Sequence, residues 1–148
     1  MDIIEVHNNT NAENDLRQTI YDIKGAAFES FKFYREFVDE ITYEIGVMME
    51  LGKRPEYTVH RQREFYVFYK GENTGITRRM DLVIDTPNGT FIVEMKALNA
   101  VDDKQRRQLW SYMKLINCQY GILVNCSPNG VYTEVWRMNL STFNFKKI

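Results

Sequence analysis

The chain has 148 residues, 44% of them hydrophobic and 14% aromatic, which suits one globular domain and not a disordered tail. No apolar run approaches the roughly 18 residues of a membrane span, and the polar, acidic first thirteen residues show no basic-then-apolar leader, so neither membrane insertion nor secretion is expected. Cys118 and Cys126 form no CxxC pair and no ligand quartet, which argues against a disulfide framework or structural zinc and for an intracellular setting, cytoplasmic or nucleic-acid-associated. The formal net charge of -1 hides an asymmetry. Residues 1–50 carry an acidic excess, whereas the basic residues concentrate after Leu51. If Arg61, Arg63, Arg78, Arg79, Lys104, Arg106, Arg107 and Lys114 share one face, phosphates become natural partners; otherwise they are solvated surface charge.

In chain order, residues 1–12 have no sustained period and read as an N-terminal arm or a short lead-in strand. From Glu13 to Phe33, the apolar positions Leu16, Ile20, Ile23, Ala27 and Phe31 recur at helical intervals. Tyr34 to Leu51 repeats that period and is closed by Gly52 and Pro55, as a second helix or the bent end of the first. The pattern then turns strand-like through YTVHRQ and REFYVFYK, ended by GENTG at Gly71 to Gly75. The aromatic run could stack bases, but such runs are more often sheet core. Two further strands, Arg78 to Asp85 and Thr90 to Ala97, flank an Asn88-Gly89 hairpin signal. Asp102 and Asp103 suit a helix start before Gln105 to Asn117, and GILVNC, a Pro-Asn-Gly turn and VYTEVWRM end the chain as two strands. No repeat or linker divides these elements, so residues 1–148 are expected to form a single domain.

The chemical signal is Asp81 on one arm of the hairpin, with Glu94 and Lys96 on the other. Residues two apart on a strand share a face, so Glu94 and Lys96 point together. Their flanks, LVI and FIV, are apolar on both sides of the pleat, where charges must be paired or metal-bound. An ion pair beside an Asp that accepts backbone donors satisfies that rule as well as a catalytic site does. On the second helix, a step of about 100° per residue puts Glu40 and Glu44 within or beside the apolar arc. His7 and His60 lack paired spacing, and the cysteines have no activating neighbour in sequence.

The order helix, three strands, helix, strand, with Asp81 and Glu94-Met95-Lys96 on the second and third strands, resembles the PD-(D/E)XK nuclease superfamily. Within it the chain is similar to the GxxExxY proteins, through Gly25 to Glu29, Glu40 to Glu44, Tyr69 to Gly71, Arg79 to Ile84, Ile92 to Ala97, Gln108 to Tyr112 and Gly121 to Asn125. The motif's glutamate and tyrosine are Glu40 and Tyr43, while Phe37 stands where the pattern has glycine.

The resemblance implies an α/β fold with a restriction-endonuclease-like core, a mixed central sheet flanked by helices in the order α-β-β-β-α-β plus a C-terminal strand. It implies a metal-dependent nuclease, with DNA favoured over RNA, or else a catalytically silent nucleic-acid-binding or regulatory module. Asp81, Glu94, the Met95 carbonyl and Glu40 would hold Mg2+, with Mn2+ as a substitute. Lys96 would orient the attacking water or stabilise the transition state. Gln108 would position Lys96 or the scissile phosphate, and Glu44 has a supporting place. Arg79, Tyr112, Arg106 and Arg107 are the expected substrate contacts, Arg79 equally suiting an ion pair with Glu94. A single domain reaches one strand of a duplex, so double-strand cleavage would call for a homodimer. The family occurs in bacteria, archaea and large DNA viruses, which leaves a viral origin open.

Overall fold

The computed structural model describes residues 4–8 and 13–148. Three helices, α1 (Glu13–Tyr34), α2 (Glu40–Leu51) and α3 (Asp103–Leu115), flank a sheet of β1 (Thr58–Tyr69), β2 (Glu72–Thr86), β3 (Gly89–Lys96), β4 (Tyr120–Ser127), β5 (Gly130–Met138) and β6 (Phe145–Lys147). The spatial order is the chain order, β1-β2-β3-β4-β5-β6. Every neighbouring pair is antiparallel except β3 and β4. Parallel neighbours need a crossover connection, and α3 supplies it.

Two cores lie on opposite faces of the sheet. Ile23, Ala27 and Phe31 of α1 and Tyr43 and Val47 of α2 pack with Leu82, Ile84, Val93 and Ile122. Leu109, Tyr112 and Met113 of α3 pack with Val83, Ile92 and Leu123. Val83, Ile92 and Leu123 alternate with Leu82, Val93 and Ile122, so the central strands are apolar on both sides, as strands covered on both faces must be. Burial of both faces leaves no room for polar side chains there except where they bind one another.

The helical period through Tyr34 to Leu51 is interrupted. Arg35 (φ 61°) and Phe37 (φ 74°) take the left-handed conformation that stops α1. Asp39 then caps α2, its Oδ1 accepting from the Thr42 backbone N–H at 2.9 Å. The Tyr43 hydroxyl donates to the Arg35 carbonyl and ties the linker to the helix that follows. At α3, Asp102 and Gln105 form a reciprocal capping box, as the acidic start suggested.

β2 begins at Glu72, inside the stretch expected as a GENTG turn; the turn itself is Lys70-Gly71. β6 was not expected from the sequence. It is only three residues long and is held by Phe145 stacking on Trp110, with ring centroids 5.3 Å apart. Of the expected N-terminal arm, residues 4–8 lie against the sheet. The His7 N–H donates to Thr90 Oγ1 at 2.9 Å and Asn8 Oδ1 accepts from the Gln119 N–H at 2.9 Å, while residues 1–3 and 9–12 lie outside the described residues. Among the described residues no helix is long and apolar enough to cross a membrane.

Candidate active site

The pairing of β2 with β3 runs from Thr86↔Gly89 to Leu82↔Val93 and stops there. Beyond this point the strands part, and side chains take over the work of the ladder. Asp81 Oδ2 accepts from the Met95 N–H at 2.8 Å, and Glu94 Oε1 accepts from the Asp81 N–H at 3.3 Å. The two carboxylates are thus aimed at each other's strand by backbone donors that the split leaves free. Glu94 is only 2% exposed. Burial, and next the Asp81 charge, push its carboxyl well above the ordinary range, with the Lys96 ammonium opposing them.

Lys96 shares the face of Glu94 and meets α3 there. Its Nζ donates to Gln108 Oε1 at 2.8 Å, and Gln108 Nε2 donates to the Tyr112 hydroxyl at 3.2 Å. Gln108 and Tyr112 are one helical turn apart and so present an amide and a phenol on one stripe. Burial, followed by the Glu94 charge, raises the Tyr112 phenol above its ordinary value, and its oxygen accepts from Gln108.

The two acids of α2 go to different partners. Glu40 Oε1 accepts from the Ala97 N–H at 3.3 Å, at the end of β3. Glu44 is buried and receives Arg61 Nε at 2.5 Å and Gln62 Nε2 at 2.9 Å. Gln62 Nε2 also stands 3.5 Å from Asp81 Oδ1, which makes it the link between Glu44 and the Asp81–Glu94 pair. Gln62 has φ 52°, a left-handed conformation that costs a side-chain-bearing residue. Desolvation raises Glu44 above the ordinary range, against the hydrogen bonds from Gln62 and Arg61. The expected gathering of Glu40 with Asp81 and Glu94 is therefore not observed. Among the described residues no three His, Cys, Asp or Glu side chains come together as a metal cluster, and Glu40 is instead engaged by the Ala97 N–H.

The expected basic contacts divide. Arg106 is corrected to a structural role: its Nε and Nη2 hold the buried Glu134 carboxylate at 2.9 and 2.6 Å, and its Nη1 reaches Asp103 at 3.1 Å. Arg79 lies opposite Glu64, exposed, and makes no ion pair with Glu94. Arg107 is exposed on α3 beside Gln108. Sequence reasoning missed Arg61 and Gln62 as partners of Glu44, since neither carries a motif. It also missed Asn125, which clamps the chain just after β3 through the Leu98 N–H and carbonyl at 2.9 and 3.0 Å; its place in the GILVN match was the available signal.

The profile of the PD-(D/E)XK nuclease superfamily matches residues 17–138. No curated protein matches the chain. Among solved structures, the crystal structure of SSO0001 superposes with a TM-score of 0.53 at 18% identity, over 86% of this chain and 65% of that one. The chain thus spans just under two thirds of that protein's length, and the likeness is one of fold. The Asp81 and Glu94-x-Lys96 positions fall where the strands part on a mixed sheet between helical layers, inside a profile match that runs through nearly all of the chain's elements, and the protein belongs to the PD-(D/E)XK nuclease superfamily.

Proposed function

We propose that the protein is a metal-dependent nuclease hydrolysing phosphodiester bonds, with DNA preferred over RNA, and that it is a GxxExxY-type member of its superfamily. The preference for DNA rests on the restriction-endonuclease-like core. The GxxExxY assignment rests on Glu40 and Tyr43, together with the left-handed φ of Phe37 at the motif's glycine position. The observation that carries the nuclease reading is the Asp81–Glu94 pair, its Glu94 buried, beside the Lys96–Gln108–Tyr112 chain.

The residues fit a hard divalent cation, Mg2+ with Mn2+ as a substitute. Two adjacent carboxyls, one of them pushed well above the ordinary range by burial and next by the other's charge, form a site whose unfavourable charge a cation would relieve. Asp81, Glu94 and the Met95 carbonyl would hold it, with Glu40, engaged by the Ala97 N–H, contributing through water. Such a cation supplies Lewis acidity towards the phosphoryl oxygens and eases deprotonation of the attacking water. The chain's own part is positioning and charge. Gln108 holds the Lys96 ammonium in one place, so that it orients the attacking water and stabilises charge developing on the phosphate without reorganising. Tyr112 fixes the Gln108 amide so that its oxygen, and not its nitrogen, faces Lys96. Arg79 and Arg107 bind flanking phosphates.

The test incubates labelled DNA and RNA with the protein in Mg2+ or Mn2+. Cleavage is expected to vanish with a chelator, and to fall by at least about 100-fold in Asp81→Ala and in Lys96→Ala. Cleavage surviving both substitutions would refute the assignment, and binding without turnover in either metal would identify a silent module.

A further inference from the structure

Beyond the split at Asp81, β2 pairs with β1 alone, so residues 62–81 form a two-stranded arm standing off the sheet. Its turn is tight: Lys70 (φ 48°) and Gly71 (φ 81°) both take the positive φ that a two-residue hairpin loop requires. Between Tyr66↔Thr77 and Phe68↔Asn73 the register shifts, and the Thr74 hydroxyl closes the bulge by donating to the Val67 carbonyl at 2.7 Å. The arm is therefore internally braced. It buries only the start of the aromatic run that the sequence suggested as sheet core. Phe65 packs edge-on against Tyr112, ring centroids 5.8 Å apart, and anchors the arm's base beside the site. Phe68 and Tyr69 at the tip are 58% and 65% exposed. A two-stranded ribbon without a covering layer has nowhere to hide them.

The arm's cations point to the occupant. Arg63, Lys70, Arg78 and Arg79 form no ion pair among the described residues, unlike Arg61 and Arg106, which are bound to buried carboxylates. Only Glu64 and Glu72 oppose them before Asp81. Two such arms from two copies would repel, whereas a polyanion with accessible rings satisfies both features. A duplex hides its base faces by stacking, so rings free to meet Phe68 and Tyr69 belong to unpaired bases.

We propose that the β1–β2 arm grips single-stranded nucleic acid that crosses its tip, with Phe68 and Tyr69, one on each face of the ribbon, stacking on bases, and Arg78 and Arg79, likewise one to a face, holding phosphates, Arg78 on the face of Phe65 that leads to the site. This rests on the nuclease reading for the direction of the strand, but not for the binding itself.

The experiment measures fluorescence anisotropy of a labelled single strand and of a duplex of equal length, in chelator, over a series of salt concentrations. Wild type and Asp81→Ala are expected to bind the single strand more tightly than the duplex. The double variant Phe68→Ala/Tyr69→Ala is expected to lose on the order of tenfold or more in single-strand affinity with an unchanged salt slope. Arg78→Gln/Arg79→Gln is expected to flatten that slope by about 1.4, two single-strand phosphates' worth. These side chains are exposed, and circular dichroism checks that each variant is folded. An aromatic variant that binds the single strand like wild type, tighter binding of duplex, or a wild-type dimer that the aromatic variant converts to monomer would each overturn the proposal. Arm-dependent binding by a protein that cleaves nothing in Mg2+ or Mn2+ would uphold the grip and sink only the nuclease reading.

Discussion

Phe37→Gly is expected to stabilise the protein, although it removes an aromatic ring. Phe37 has φ 74° and is 88% exposed. The left-handed conformation costs a residue bearing a Cβ about 1–2 kcal/mol, and a ring so exposed returns little burial to offset it. Glycine removes the steric cost but gives the unfolded chain about 0.5–1 kcal/mol more conformational entropy to lose. The difference leaves a gain of about 0.5–1 kcal/mol, or about 1–4 °C in Tm for a chain of this length. Urea denaturation read by circular dichroism gives the free energy, and a thermal melt gives the second measure. Phe37→Ala is the control: it deletes the ring and keeps the left-handed Cβ, and should fall within about 0.5 kcal/mol of wild type. If Phe37→Gly is no more stable than Phe37→Ala, strain in the linker before Glu40 is not what distinguishes this residue.

Three other outcomes follow from the same geometry. Glu134 is held down to about 2 by its bonds to Arg106 and to Tyr132 and Trp136. A depressed carboxyl stabilises above its unfolded value of 4.5, and that stability disappears as pH falls towards 2, so Glu134→Gln should cost about 3 kcal/mol at pH 7 and flatten the acid limb of a stability-versus-pH curve. Glu94 has the opposite sign. Its raised carboxyl makes the metal-free protein less stable as pH climbs from 4.5 through the folded value, so Glu94→Gln should raise Tm at pH 7 while abolishing cleavage; a lowered Tm would contradict the account of the buried pair. A Cβ at Gly121 would stand 2.6 Å from Met113 Sδ and 2.8 Å from Leu109 Cδ1, both on fully buried residues of α3. Gly121→Ala should therefore cost about 1–3 kcal/mol in urea denaturation and weaken cleavage by displacing the helix that carries Gln108 and Tyr112.

The sequence by itself determined what depends on neighbours along the chain. Helical spacing located α1 and α3, Asn88-Gly89 located the β2–β3 turn, and period-two geometry put Glu94 and Lys96 on one face, because each is a property of a few consecutive residues. The dispersed motif matches added the order of the elements and left Gln108 with Lys96 or the scissile phosphate as its partner; in the structure it accepts from Lys96 at 2.8 Å. Only the tertiary structure decided where β2 leaves β3, which turns an apparent sheet-core run into an exposed arm. It also decided that Glu44 goes to Arg61 and Gln62, that Glu40 goes to Ala97, and that Arg106 is bound to Glu134 and cannot serve as a free phosphate contact. Charged side chains take the nearest unsatisfied partner once the strands have packed. Which partner is nearest is set by segments 17 to 57 residues apart, a distance at which no local pattern carries information.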